Sequence, residues 1–207
     1  SQFGLEAIGS QLPLVDAEII SASLAIYQKM GIRNLNLVIN SVGCRKCRPK
    51  YLDALKNYFA DKKQFLCSDC CERYEKNPLR ILDCKNTECQ VEIKNSPSIF
   101  DYLCEDCDTH FQQLCIYLDS LKIIYQINPL LVRGLDYYTK TAFEIISGEL
   151  GSQNAVGGGG RYDYLVEELG GKYTPAVGFA AGMERIIATM IKQGIDTVSY
   201  THLRAHE

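Results

Sequence analysis

No apolar run in this sequence approaches the roughly 20 residues that a bilayer-spanning helix needs, so nothing points to a membrane protein. The first residues, Ser1-Gln2-Phe3-Gly4, show neither an initiator Met nor a basic-then-apolar signal peptide. The chain is therefore expected to be cytoplasmic and to begin within a longer gene product. No strong excess of either charge is present: 22 Lys and Arg stand against 25 Asp and Glu, a net charge of −3. That balance excludes a general affinity for nucleic acid, so RNA would have to be held by a local patch or by another domain. Internal repeats of solenoid period are absent. So is the regular βαβ alternation of a doubly wound sheet. The 207 residues, 46% of them hydrophobic, suffice for one sizeable domain, or a core plus an insertion.

The ten Cys are the compositional oddity, and all lie between Cys44 and Cys115. A secreted disulfide scaffold would be shorter and would carry a signal; clustered Cys pairs in a cytosolic chain point to metal. Cys44-x-x-Cys47, Cys67-x-x-Cys70, Cys84-x₄-Cys89 and Cys104-x-x-Cys107 each suit one half of a tetrahedral zinc site. Eight thiolates would serve two Cys₄ sites, or one site with leftovers, and Cys71 and Cys115 are extras. The plainer reading is reduced Cys packed as small hydrophobes. The basic run Arg45-Lys46-Cys47-Arg48-Pro49-Lys50 either touches RNA phosphates or forms a solvated face.

Along the chain, Val15, Ile19, Ala22 and Ile26 recur at helical spacing and predict a helix over 14–31, stopped by Gly31. Residues 35–40 predict a buried strand. The stretch from Val42 to about Asn128 holds the Cys pairs and short helical patterns at 48–61 and 97–121, and reads as a helical insertion. Strand-like and glycine-rich text returns at 142–146 and 153–160, with a short helix at 162–169. A helix from Gly182 to Lys192 carries an apolar stripe of Met183, Ile186, Ile187, Met190 and Ile191. Strand, insertion, several strands and a helix fit an α+β domain with a mostly antiparallel sheet.

Four motifs carry possible chemistry. Leu131 to Thr139 packs Arg133, Asp136, Tyr137 and Tyr138 into a turn before a strand. Arg is the planar donor for phosphate or carboxylate, and Tyr offers a flat wall with a hydroxyl. On composition alone, a turn with an ion pair explains it equally. Gly157 to Gly160, followed by Arg161-Tyr162-Asp163, lets a backbone approach a ligand closely. It is neither a P-loop nor a dinucleotide fingerprint, and a glycine-rich hairpin corner would look the same. Pro175 to Arg185 runs small residues into a helix with Arg185 in its first turn. A cation there opposes the helix dipole, so a phosphate, a stacked base or a nearby acid should offset it. If Gln2 to Glu6 is a strand, Gln2, Gly4 and Glu6 share one face and offer an amide and a carboxylate.

Together these residues resemble the histidyl-tRNA synthetase family, of bacterial type, among the class II aminoacyl-tRNA synthetases. LVRGLDYYT and VGGGGRYDYL resemble its two signature motifs. PAVGFAAGMER is similar to class II motif 3, and QFGLE with Asp16-Ala17-Glu18 to the end of motif 2 and the helix after it. The resemblance covers residues 2 to about 194. It implies a class II antiparallel sheet flanked by helices and interrupted by a helical Cys-rich insertion. The boundaries expected are catalytic core at 1–43, insertion at 44–128 and catalytic core again at 129–196. The polar tail 197–207 does not resemble the family's linker and is expected to be non-native; a metal-binding tail is the weaker reading.

The chemistry implied is ATP-dependent activation of histidine to histidyl-adenylate, with transfer to tRNA(His). By motif match, Arg133 is the catalytic cation at the α-phosphate of ATP. Gln2 would hold the amino acid. Glu6 and Tyr138 would hydrogen-bond the imidazole nitrogens, Tyr137 would shape the pocket, and Gly158, Gly159 and Gly160 would floor it. Arg185 would bind ATP, which brings Mg²⁺. The family implies a homodimer and a helical insertion that reaches toward tRNA. It does not imply zinc. Motif 1, the motif 2 arginine and the anticodon-binding domain have no counterpart in this sequence, so the 207 residues alone are expected to be inactive. A histidine-binding regulatory subunit of ATP phosphoribosyltransferase is the rival reading. It usually lacks the long insertion. A zinc-binding RNA module is a third, with no reason to keep Glu6, Arg133 and Tyr138 together.

Overall fold

The computed structural model describes residues 1–134, 136–148 and 154–195. The expected non-native tail, Gln153 at the start of the 153–160 segment, and Leu135 within the Arg133 turn lie outside the described residues.

The first apolar repeat forms helix α1 (Pro13–Lys29). Pro13 costs no hydrogen bond at the first helical position, where the N–H has no partner anyway. Gly31 then takes φ +78°, a left-handed conformation that stops the helix. Ala17, Ile20 and Tyr27 lose all exposure on its inner face.

Six strands form one sheet: β1 (Gln2–Ile8), β2 (Leu35–Ser41), β3 (Tyr125–Ile127), β4 (Thr139–Ser147), β5 (Ala155–Arg161) and β6 (Ala176–Gly182). Their order is β1-β6-β5-β4-β2-β3. Every neighbouring pair is antiparallel except β2 with β3. The expected α+β sheet flanked by helices is therefore what forms. The sequence reading did not separate β6 from the helix that follows it. Its small residues have little strand preference of their own, and the ladder to β1 and β5 on its two sides makes it a strand.

Register gives the sheet two unlike faces. Phe3 and Leu5 on β1, Val177 and Phe179 on β6, Phe143 and Ile145 on β4, and Leu37 and Ile39 on β2 join one apolar core. Helix α1 covers that face together with α5 (Glu105–Ser120), which contributes Phe111, Leu114 and Leu118. Burying one such Leu or Phe side chain is worth about 1.5–3 kcal/mol. The opposite face carries Gly4, Gly158, Gly160, Gly178, Ala180 and Ala142 in register, with Glu6 and Glu144 among them. With so little side chain, it forms a trough.

The Cys-rich stretch adds α2 (Arg48–Ala60), α3 (Ser68–Lys76) and α4 (Thr87–Ile93). Packing divides residues 44–128. The three helices share a core of their own around Tyr51, Leu55, Phe59, Ile81 and Ile93, whereas α5 packs on α1 and β3 extends the sheet. A short helix α6 (Leu165–Glu168) follows β5, and α7 (Met183–Lys192) follows β6. No described helix is long and apolar enough to cross a membrane.

Candidate active site

The trough carries most of the residues that the motifs singled out. Gln2, Gly4 and Glu6 alternate on β1 and so share a face. Gly178 lies opposite Glu6 on β6, and any Cβ there would overlap the Glu6 carboxylate. The Tyr162 hydroxyl, just past β5, donates a short hydrogen bond to Oε2 of Glu6. Tyr137 joins the group, its ring 5.9 Å from Tyr162 and 4.9 Å from Tyr138. A Cβ at Gly160 would meet the Tyr138 ring at 2.8 Å, so glycine lets that ring lie flat on the sheet. Burial, with Tyr137 and Glu6 adding, pushes the Tyr138 phenol up to about 12. It stays a neutral donor and acceptor at physiological pH.

Arg133 stands beside them. Its Nη1 donates to Oε1 of Glu144 on β4 through a short ion pair. Its Nε is buried and has no partner. A Cβ at Gly158 would meet Nη1 at 3.1 Å and Cζ at 3.2 Å, so the guanidinium occupies the space that a side chain would fill. Gly159 turns the other way, where a Cβ would meet the Phe143 ring at 2.9 Å in the core.

Two pieces of the fold hold the Arg133 turn. From the sheet, Nδ2 of Asn40 donates to the carbonyls of Pro129 at 3.2 Å and Leu131 at 2.9 Å. From the insertion, Arg48 donates to the carbonyls of Asp136 and Tyr138, and Asn77 donates to Asp136 at 2.6 Å.

Arg133 also borders two cavities. One, of about 440 Å³, opens toward the insertion and is lined by Arg48, Lys56, Asn77, Arg80 and Tyr138 among others. The other, of about 340 Å³, holds Glu144, Gly158, Ala180, Gly182 and Arg185. Arg185 is in the first turn of α7, and its Nη1 donates to the Ala155 carbonyl at 3.0 Å.

Behind the trough lies a buried ionic cluster, to whose members Asp16, Arg161 and Asp163 the motifs gave no role. Asp16 of α1 accepts from Arg161 Nε at 3.0 Å, from His110 of α5 at 2.7 Å and from Thr141 of β4. Arg161, with no exposed surface, also donates to Asp163 at 3.0 Å and to the Ser10 and Leu12 carbonyls. Burial raises the Asp16 carboxyl, but the His110 hydrogen bond and the Arg161 charge outweigh it and hold the group below the ordinary carboxylate range.

Of the candidate ligands, Cys44, Cys47, Cys104 and Cys107 converge in one group, and Cys67, Cys70, Cys84 and Cys89 in another. Tyr162 and Glu144 are the trough residues that motif reading did not assign. Their signal lay in the strand register, which brings Glu144 opposite Gly158.

Comparison with known proteins finds relatives along nearly the whole chain. A profile of the histidyl-tRNA synthetase family matches residues 90–186. A histidine--tRNA ligase of Halothermothrix orenii is 53% identical over 94% of this chain and 46% of its own length. The crystal structure of apo Staphylococcus aureus histidyl-tRNA synthetase superposes with a TM-score of 0.74 and 40% identity, over 95% of this chain and 48% of that one. A Bacillus halodurans protein described as an ATP phosphoribosyltransferase regulatory subunit/histidyl-tRNA synthetase superposes at 0.60 with 19% identity, over 91% of this chain and 52% of that one, a likeness of fold alone. The chain thus spans about half the length of the curated relatives it matches. In sequence over nearly its whole length, and in the class II fold of its sheet, the chain belongs to the histidyl-tRNA synthetase family.

Proposed function

We propose that the protein containing this chain is a histidine--tRNA ligase that activates histidine with ATP and transfers it to tRNA(His). The observation that carries the reading is Arg133: a half-buried guanidinium whose buried Nε has no partner, set over the side-chain-free floor at Gly158. Such a donor suits an oxygen anion, here the α-phosphate attacked by the histidine carboxylate. Its charge stabilises what develops on that phosphate in the transition state.

Glu6, Tyr138 and Tyr162 support imidazole recognition. A carboxylate and phenols can meet both ring nitrogens, and an apolar isostere would leave them unpaired in the site. Tyr137 walls the pocket and Gln2 holds the amino acid from the same face. Gly158 and Gly160 floor it on the trough side, and Gly159 supplies backbone between them. Arg185, bordering the second cavity, binds ATP. Mg²⁺ arrives with ATP. Glu144 is the carboxylate of that cavity and is already paired with Arg133, so the ion would take its oxygens chiefly from phosphate and water.

The converging thiols support structural zinc in the insertion. A cytoplasmic homodimer is part of the same proposal. The regulatory-subunit reading is the weaker one, because relatives at about half identity carry the ligase name and the insertion is present. Histidine-dependent ATP–pyrophosphate exchange by the full-length protein tests the proposal. Exchange that needs histidine and falls by at least about 100-fold in Arg133→Ala supports it. Histidine binding without exchange overturns it.

A further inference from the structure

Eight thiols take no part in the chemistry above, and their arrangement asks for an explanation. In the first quartet, Cys44 and Cys104 sulfurs are 3.7 Å apart, Cys44 and Cys47 3.8 Å, and Cys47 and Cys107 3.8 Å. In the second, Cys67 and Cys84 are 3.8 Å apart. Within each quartet all four sulfurs lie within 4.8 Å of one another. A zinc–thiolate bond of about 2.3 Å in a tetrahedron separates its sulfurs by about 3.8 Å. A disulfide needs about 2.05 Å, and all ten Cys are free.

The surroundings match as well. Backbone N–H groups point at the sulfurs: Cys44 to Cys47 at 3.1 Å, Cys67 to Cys89 at 3.1 Å, Lys46 to Cys44 at 3.4 Å and Asn86 to Cys84 at 3.4 Å. Such donors disperse the negative charge of a tetrathiolate centre. Cys71 lies outside both quartets, its sulfur 3.6 Å from the Lys63 carbonyl. Gly43 takes φ +66°, and a Cβ there would meet the Cys47 sulfur at 2.9 Å. The turn is shaped to bring backbone against sulfur.

We propose that the chain holds two zinc ions with different tasks, which deepens the reading of the thiols as structural ligands. The second quartet sits inside the insertion. Cys70, Cys84 and Cys89 are part of its small core with Leu66, Ile81, Leu82 and Ile93, so that ion folds the insertion. The first quartet sits at the junction. Cys44 and Cys47 follow β2, where the chain leaves the sheet, and Cys104 and Cys107 open α5, where it returns. That ion clamps the two crossings together. It also fixes the turn that carries Arg48, whose guanidinium donates to Val42, Gly43, Asp136 and Tyr138 carbonyls. The junction zinc is therefore a positioning element for the Arg133–Tyr138 turn, acting through Arg48.

The test is metal content of the full-length protein, purified without a polyhistidine tag and under reducing conditions. Two zinc ions per chain are expected. Replacing Cys104 and Cys107 by Ser should remove one, and replacing Cys84 and Cys89 by Ser the other. Cobalt put in place of zinc should show the intense visible bands of tetrahedral tetrathiolate coordination. Should a variant fail to fold, stepwise zinc release from the unaltered protein by a mercurial still counts the ions. One ion, none, or an iron–sulfide cluster overturns the assignment. For the positioning role, hydrogen exchange at the amides of residues 136–140 should quicken in the Cys104/Cys107 variant and not in the Cys84/Cys89 variant. Equal exchange in both overturns that role. These readouts do not depend on catalysis, so their failure is distinct from a failure of ATP–pyrophosphate exchange.

Discussion

Removing the Asp16 carboxylate should destabilise this chain more than any change on its surface. Asp16 has no exposed area, and it accepts from Arg161, His110 and Thr141 at once. In Asp16→Ala the Arg161 guanidinium remains buried with its main counter-charge gone. Deleting one partner of a buried pair costs about 3–5 kcal/mol. Arg161 keeps Asp163 at 3.0 Å and the Ser10 and Leu12 carbonyls, so the lower end, about 3 kcal/mol, is expected. With a urea slope of about 2 kcal/mol/M, the unfolding midpoint should fall by about 1.5 M. Acid should mimic the mutation. The folded-state pKa of Asp16 is depressed, so its contribution is complete above the unfolded value of about 3.9 and is lost as pH falls through the folded value. The gap between the unaltered protein and Asp16→Asn should accordingly be constant at neutral pH and shrink below about pH 4. A midpoint shift under about 0.3 M, or a gap that widens in acid, would refute the view that this cluster ties α1, α5, β4 and the end of β5 together.

Two further substitutions separate the faces of the sheet. Gly178→Ala should push the Glu6 carboxylate aside, since the atoms it meets end a side chain. The histidine KM in pyrophosphate exchange should rise by about 10-fold, the loss of one charged hydrogen bond, with the urea midpoint nearly unchanged; an unaltered KM would remove Glu6 from the pocket. Tyr27→Phe should do the reverse, because its hydroxyl donates to the Val156 carbonyl at 3.1 Å on the core side. A stability loss of about 1 kcal/mol with no change in histidine KM is expected, and a KM effect would show that the two faces are coupled.

Much of this was legible in the residues, for reasons that differ between elements. Periodicity located α1, β2, β4 and α7 but not every buried face: α1 buries Ala17, Ile20 and Tyr27 beside Ile19 while Ala22 of the predicted stripe is exposed, and Ile187 and Ile191 of the α7 stripe are exposed. β3 has only three residues, too few for a pattern, and β6 is too poor in strand formers. Motif text brought Arg133, Tyr138, Glu6 and the glycines together before any fold was known. It contained Tyr162 without a role and did not reach Glu144, whose place depends on which strand lies opposite which. The same holds for the thiols. Spacing marks each Cys pair, but Cys44/Cys47 meets Cys104/Cys107 only because the chain leaves the sheet and returns at one place. His110 belongs to none of the motifs, and only the packing of α5 on α1 gives it Asp16.

The order of strands in the sheet also sets a schedule. Gln2 on β1 pairs with Gly182 on β6, so β1 waits for about 180 more residues to be synthesised before this partner exists. At about 5–20 residues per second, that is roughly 10–35 s. Meanwhile β4, β5 and β6, close in sequence, can assemble into a meander, and β2 can join once the insertion has closed. Throughout that interval the edge of β1 that β6 will cover is open to the wrong neighbours. Gln2 and Glu6, set between its apolar residues, are polar interruptions of the kind that discourages aggregation before the edge of β6 is ready. A carboxylate kept for a substrate would thus serve first as protection for a newborn strand.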